Sequence, residues 1–149
     1  MGTTSAERNT PEIMAENAVG DEQENIGPFP RLFIRGSIFL SGMIRGEIWW
    51  VSLDPAQGSE IKKTRPCVVL THDTLNRLRK TVVVMPLSTA AKPHPPITVP
   101  VTCQGRTAVA VIDQIRAVAK HRLKSRIEAM TPNDLAAINR AVSTILEIR

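Results

Sequence analysis

The run GSEIKKTRPCVVLTHD, residues 58–73, sets Glu60, Lys62, Lys63 and Arg65 within six positions of a glycine-flanked loop, ahead of an apolar strand that begins at a proline. A plain connector needs polarity, but not three cations and a carboxylate together. Two further clusters are candidates to join them: Ser88 and Thr89 in MPLSTAAK, and Asp113, Gln114 and Arg116 in VIDQIR. Strand ends meeting at one rim would gather these groups into a polar, cationic pocket. Such a pocket suits attack of an RNA 2′-hydroxyl on its own neighbouring phosphate. That reaction needs a group to take the hydroxyl proton, positive donors to steady the phosphorane, and a proton for the leaving 5′-oxygen. Arginine and hydroxyl donors meet the middle requirement, the guanidinium offering a planar fork that matches two phosphate oxygens. Glu60 is the one carboxylate on the loop able to act as base. An arginine is a poor proton carrier, since its pKa is above about 12. No Ser-His-Asp triad, Walker loop or zinc pattern is spelled.

Composition narrows the alternatives. With 149 residues, 42% of them apolar and 22% charged, the chain suits one domain with a modest core. Aromatic content of 3% and the lack of tyrosine argue against a platform of stacked rings for single strands. Trp49 and Trp50 are the exceptions. They fall on opposite faces of a strand, one for the core and one for a dimer or barrel-end contact, with base stacking the lesser reading. Cys67 and Cys103 show no CxxC spacing, so no metal or cofactor is expected, and a reducing cytoplasmic setting fits. No run suits a membrane span, and the acidic start lacks a signal peptide's basic and apolar regions.

Charge is divided unevenly. Residues 1–42 hold three Arg against six Asp or Glu, whereas residues 43–149 hold sixteen Lys or Arg against eight Asp or Glu. A basic body favours an anionic partner, nucleic acid first.

These groups need a frame to position them. Residues 1–42 are polar and acidic or irregular, and read as a disordered extension, a docking tail or an over-called start; the domain is placed at 43–149. Strands are predicted near Glu47–Leu53, Cys67–Thr71, Thr81–Met85, Ile97–Val101, Ala108–Ile112 and Arg126–Ala129, punctuated by Pro and Gly. THDTLNRLRK suggests a short helical turn. The chain closes on an amphipathic helix, with Thr131 as N-cap, Pro132 at the first position and Asp134 in a capping-box place. Leu135, Ile138, Val142, Ile145 and Leu146 form its apolar stripe. Several strands and one such helix make a small barrel or curled sheet with a helix packed on it.

Three blocks, RGEIWWVSLDPAQGSEIKKTRPCVVLTHDTLN, VVVMPLST and VAVIDQIRAVAKHRL, resemble the MazF/PemK toxin family, the messenger-RNA interferases of type II toxin–antitoxin systems. The resemblance covers nearly all of residues 43–149 and none of residues 1–42. It implies a mainly β fold with α, an SH3-like small β-barrel of the CcdB/MazF plasmid-toxin type with a C-terminal amphipathic helix, assembled as a homodimer. It implies sequence-specific, metal-independent, ribosome-independent cleavage of single-stranded mRNA to 2′,3′-cyclic phosphate and 5′-hydroxyl ends, inhibiting translation and growth. A cognate antitoxin is the implied protein partner, with DNA met only through the antitoxin complex.

Carried over by motif, the resemblance makes Arg65 and Ser88 the central catalytic groups; Glu60 stays a candidate base from its place on the loop, or a partner for one of the loop lysines. Lys62 and Lys63 read as phosphate contacts or as solubility charges, Ser59 and Thr89 as RNA contacts, and Asp113 and Gln114 as RNA contacts or as structural ties from the strand end to a loop amide. Where the family more often has Thr followed by Ser, this chain reads Ser88 then Thr89, so either hydroxyl is a candidate. A PemK-type branch has arginine at the place of Val111 and histidine at the place of Ser59; their absence centres the chemistry on Arg65. His72, His94 and His121 lie in separate segments and read as surface residues. Two other functions share the pattern: a non-cleaving toxin that binds a protein target as a gyrase poison does, and an inactive RNA-binding module.

Overall fold

The computed structural model describes residues 42–149. The expectation for residues 1–42 therefore lies outside the described residues, Gly42 excepted. Within them, residues 72–79 group apart from residues 44–71 and 80–149. The small group holds the helix α1 (Asp73–Leu78), the short turn expected there, capped by His72, whose ring accepts from Thr74 N at 3.1 Å. His72 thus has a local structural task.

Residues 44–71 and 80–149 build a half-barrel of antiparallel strands: β1 (Glu47–Ser52), β2 (Thr64–Val69), β3 (Thr81–Ser88), β4 (Thr98–Cys103), β5 (Arg106–Val111), β6 (Arg116–Ala119) and β7 (Leu123–Ala129). The sheet order is β4-β5-β3-β2-β1-β7, with β6 also on β3. β3 is central because TVVVMPL is apolar at consecutive positions, as a strand covered on both faces must be; Val82, Val84, Met85 and Leu87 are all buried. It changes partner along its length. Thr81–Val84 pair with β6, Val84–Pro86 with β2, and Leu87 and Ser88 with β5.

Helix α2 (Pro132–Leu146) closes one face. Thr131 Oγ1 accepts from Asp134 N at 3.2 Å and Pro132 opens the first turn, as expected. Asp134 departs from the capping-box expectation: its Oδ2 accepts from Thr102 N at 2.9 Å, tying the helix start to β4 instead of its own cap. Ile138 is fully buried, and Leu135, Val142 and Ile145 pack on the core. Leu146, expected in that stripe, is 53% exposed because the helix ends there and Glu147 turns into left-handed backbone. The core under α2 includes Ile48, Val68, Met85, Val101, Ala110 and Met130. Burying one such side chain contributes about 2 kcal/mol, which is what holds a helix of this length to the sheet.

Two other expectations shift. β2 begins at Thr64, not Cys67, so Arg65 and Pro66 are strand residues, opposite Val51 and Trp50 of β1. Pro66 is tolerated because the β2–β3 ladder starts only at Cys67, leaving no β3 partner for the amide that proline lacks. The four-residue strand β6 was not expected. RAVA is too short to show a period, and its pairing with Thr81–Val84 sets it in place.

The RGEIW opening is a structural knot. Glu47 is buried, and its carboxylate accepts from Ile44 N at 3.0 Å, Trp49 Nε1 at 2.9 Å and Arg126 Nε at 2.7 Å. Burial pushes its pKa up, but the hydrogen bonds from Trp49, Arg126 and Ile44, with the charge of Arg126, bring it below the ordinary value. Arg45 reaches the Leu70 carbonyl and, at 2.7 Å, Asn139 Oδ1 on α2. Gly46 has φ +93, and a Cβ there would come 3.3 Å from Leu135 Cδ2, so the position favours glycine twice over.

Candidate active site

The site is the place where the core face runs past its helix. Side chains alternate along a strand, so the rows that supply the core continue outward: Ile48 to Trp50, Val68 to Pro66 and Thr64, Met85 to Leu87 and Thr89, Val101 to Cys103, and Ala110 to Ala108 and Arg106. All of the outer members line one pocket of about 290 Å³, together with Arg65 and Gln104. The gap arises because β2 and β3 part after the Cys67–Pro86 pair, β3 moving on to β5. Pro66, at the parting, has no amide to offer β3.

Two guanidiniums, two threonine hydroxyls and one amide supply the polar lining, with no carboxylate among them. Arg65 is steadied from behind, its Nε donating to the Lys62 carbonyl at 3.1 Å. Arg65 and Arg116 both act on the Cys67 thiol, which burial pushes up to about 12 against the pull of those two cations. Trp50 lies between two irregularities in the β1–β7 register and remains 36% exposed at the pocket wall. Irregular pairing of this kind re-aims a side chain.

The structure separates the two candidate hydroxyls. Ser88 Oγ accepts from Ala90 N at 3.1 Å and Ala91 N at 3.2 Å, shaping the turn after β3. Thr89 lines the pocket beside Arg65. Arg65 and Thr89 are thus the sequence-predicted residues that come together in it.

The remaining predicted residues lie on or around the 53–63 loop. Glu60 is exposed, and its Oε1 accepts from Gln57 N at 2.8 Å while its own amide donates to the Gln57 carbonyl at 3.0 Å, so it folds the loop tip on itself. Ser59, Lys62 and Lys63 are exposed. Lys63 holds the loop base: it has φ +70, its N–H donates to Asp54 Oδ1 at 3.0 Å, and its carbonyl accepts from Leu53 N at 2.9 Å. Gln114, in a 3-10 turn after β5, accepts from Ile61 N at 3.3 Å and ties the loop to that strand end. Asp113 is exposed in the same turn. None of these six lines the pocket.

Sequence reasoning passed over Gln104 and Arg106, and ranked Trp50 low for ligand contact. Gly105 marked a turn, but its flanking residues enter the site only through the β4–β5 register, Cys103 opposite Arg106. Among the described residues, no cluster of His, Cys, Asp and Glu is placed to hold a metal ion, and no helix is long and apolar enough to cross a membrane.

The half-barrel of antiparallel strands with its C-terminal helix is the fold of the MazF-type structures. Residues 44–146 match the model of the PemK-like, MazF-like toxins of type II toxin-antitoxin systems, and the chain belongs to that family. It is 37% identical over 115 residues to endoribonuclease MazF9 of Mycobacterium tuberculosis, covering 71% of this chain and 98% of that one. It is 34% identical over 111 residues to endoribonuclease PemK of Escherichia coli, covering 71% and 84%. In fold it is similar to MazF of Deinococcus radiodurans, with TM-score 0.65 and 21% identity, covering 71% of this chain and 97% of that one. It is also similar to a mycobacterial endoribonuclease solved with its cognate antitoxin, with TM-score 0.61 and 22% identity, covering 72% and 97%.

Proposed function

We propose that this toxin is an endoribonuclease that cuts single-stranded mRNA by internal transesterification. The observation that carries this reading is the meeting of Arg65 and Thr89 in one pocket with no acidic lining, a setting made for a phosphate and its developing charge. The 2′-oxygen attacks phosphorus, the bond to the 5′-oxygen breaks, and the products are a 2′,3′-cyclic phosphate and a 5′-hydroxyl. No water is consumed, and the proton taken from the 2′-hydroxyl balances the one gained by the leaving oxygen. Arg65 spans two phosphate oxygens, Thr89 donates to the phosphorane, and Ser88 sets the turn that aims Thr89. Glu60 serves as base when the loop carries it to the RNA, at the cost of its bond to Gln57.

The exposed Lys62 and Lys63 position the backbone of the strand without reading its sequence. Ser59 in the loop, Gln114 bonded to it through Ile61 N, and Asp113 next to Gln114 border the RNA path. The toxin domain is residues 43–149, working in the cytoplasm as a homodimer, with an acidic antitoxin competing for the same cationic groove and DNA reached only through that antitoxin.

The test is cleavage of a long, weakly folded RNA in excess EDTA, with the ends mapped chemically. Discrete cuts bearing cyclic phosphate are expected, with the rate falling about 10²–10³-fold in Arg65→Ala. Intact RNA from folded protein would overturn the reading in favour of a toxin that binds a protein target, or of an RNA-binding module without turnover. Salt-sensitive RNA binding marks the second of these.

A further inference from the structure

We propose that the β4–β5 hairpin tip is the base-reading element of the site: Gln104 and Arg106 hydrogen-bond the edge of one RNA base seated against Trp50. The proposal deepens the nuclease reading and rests on it for the ligand being RNA. A pocket of about 290 Å³ suits one nucleotide unit, not a duplex. Its exposed aromatic wall is Trp50, and single-stranded RNA is recognised by unstacked bases placed on such rings and read at their edges.

The polar groups divide by strand. Arg65 and Thr89 come from β2 and the end of β3, where the phosphate is placed; Gln104 and Arg106 come from the hairpin. An amide offers a donor and an acceptor and a guanidinium a planar fork, the two side chains best suited to paired hydrogen bonds with a base. Among the described residues, neither side chain has a hydrogen-bond partner of its own, so both are available.

The hairpin is also built to present them. Gln104 and Gly105 form its two-residue turn with φ +55 and +73, a geometry that asparagine followed by glycine would satisfy at less cost. Glutamine in left-handed backbone is a conformational expense that turn formation alone does not explain. It is held there from outside: Gln104 N donates to Glu128 Oε2 of β7 at 2.5 Å, and Thr102 N to Asp134 Oδ2 of α2 at 2.9 Å. Glu128 is therefore a positioning residue, fixing the backbone that carries the reading side chain.

The experiment digests a random-sequence single-stranded RNA pool with the full chain and sequences the cut ends, so that preference is read as relative rates within one tube. Beside it, the four nucleoside 3′-monophosphates are titrated while tryptophan fluorescence is followed, with Trp50→Phe as the control. One position next to the cut should lose about tenfold or more of its base discrimination in Gln104→Ala and Arg106→Ala. Glu128→Ala should relax the same position, and Glu128→Gln, which keeps an acceptor, should restore it. One nucleotide should quench Trp50 more than the others, and Arg106→Ala should remove that preference. Unchanged cut-site preferences in folded Gln104→Ala and Arg106→Ala would overturn the proposal while leaving the nuclease intact. If the parent chain cuts nothing, Arg106-dependent quenching by one nucleotide upholds the base pocket without the nuclease, and its absence removes both.

Discussion

Arg65 and Ser88 occupy the positions that the β2–β3 register would pair, two residues beyond Cys67 and Pro86, yet no ladder joins them. β3 has by then transferred to β5, with Ser88 opposite Val109. Arg65 and the end of β3 thus face each other across an opening instead of being spent on backbone bonds. A continuous sheet would have put Arg65 on an ordinary surface. The parting of two strands turns it into one wall of a pocket.

The two hydroxyls at the end of β3 should separate in their effects. Ser88→Ala removes an acceptor for two amides and should cost about 1 kcal/mol of stability, along with some activity through the misplaced turn. Thr89→Val keeps shape and loses the hydroxyl that lines the pocket, so the cutting rate should fall at least about tenfold with stability within about 0.5 kcal/mol of the parent. Thermal melts and single-turnover cleavage of one oligonucleotide check both. Equal loss of stability with full activity in Thr89→Val would remove Thr89 from the chemistry.

Glu47 should make the fold sensitive to acid. Its folded carboxyl titrates below the ordinary 4.5, so the charged form stabilises the protein above that pH, and the contribution is lost as pH falls through the lowered folded value. Glu47→Gln should lower stability by about 2 kcal/mol at neutral pH, since the hydrogen bond from Arg126 loses its charged acceptor. It should also flatten the fall in Tm as pH drops below the ordinary 4.5. An unchanged acid profile would mean that other carboxylates carry the transition.

Much of this arrangement was legible in the sequence, and the misses share a cause. The strands were visible as β-branched runs between prolines and glycines, and α2 announced itself through Thr131, Pro132 and its apolar spacing, because these signals are local. Family resemblance singled out RGEIW without showing that Glu47 is a buried acceptor for three donors, a fact that depends on Arg126 of a strand 79 residues away. The pocket was half seen for the same reason. Arg65 and the Ser88–Thr89 pair lie in marked motifs, whereas Gln104 and Arg106 look like any hairpin tip until pairing sets them beside β3. Glu60 and Gln114 stood out as candidate site residues, yet nothing local shows that their side chains hold the loop amides of Gln57 and Ile61.

Lys62 and Lys63 should prove to be different kinds of residue. Each phosphate contact on a single strand contributes about 0.7 to the slope of log affinity against log salt, so Lys62→Ala should lower that slope by about this amount. Lys63 adds a backbone role at φ +70, where glycine is at ease. Lys63→Gly should therefore lower the slope similarly while raising stability by about 0.5–1 kcal/mol. Binding of an uncleavable 2′-deoxy oligonucleotide at a series of salt concentrations, with melts alongside, reads both quantities. A slope unchanged in both variants would assign these lysines to solubility alone.

The two thiols give a footprint of the pocket. Cys67 is fully buried, with its pKa pushed up to about 12, and should resist iodoacetamide in the folded protein at pH values up to about 9. Cys103 is also raised above its ordinary 9.0, by burial and by the negative charge of Glu128, but it lines the pocket. Its alkylation should be slow at neutral pH and accelerate only above its ordinary 9.0, as the thiolate forms. Glu128→Gln should speed it at fixed pH, because removing a negative neighbour favours the thiolate. An uncleavable oligonucleotide should slow it by covering the opening. Mass spectrometry assigns the modified cysteine in each case. Labelling of Cys103 that is indifferent to saturating oligonucleotide would show that RNA binds elsewhere on the sheet.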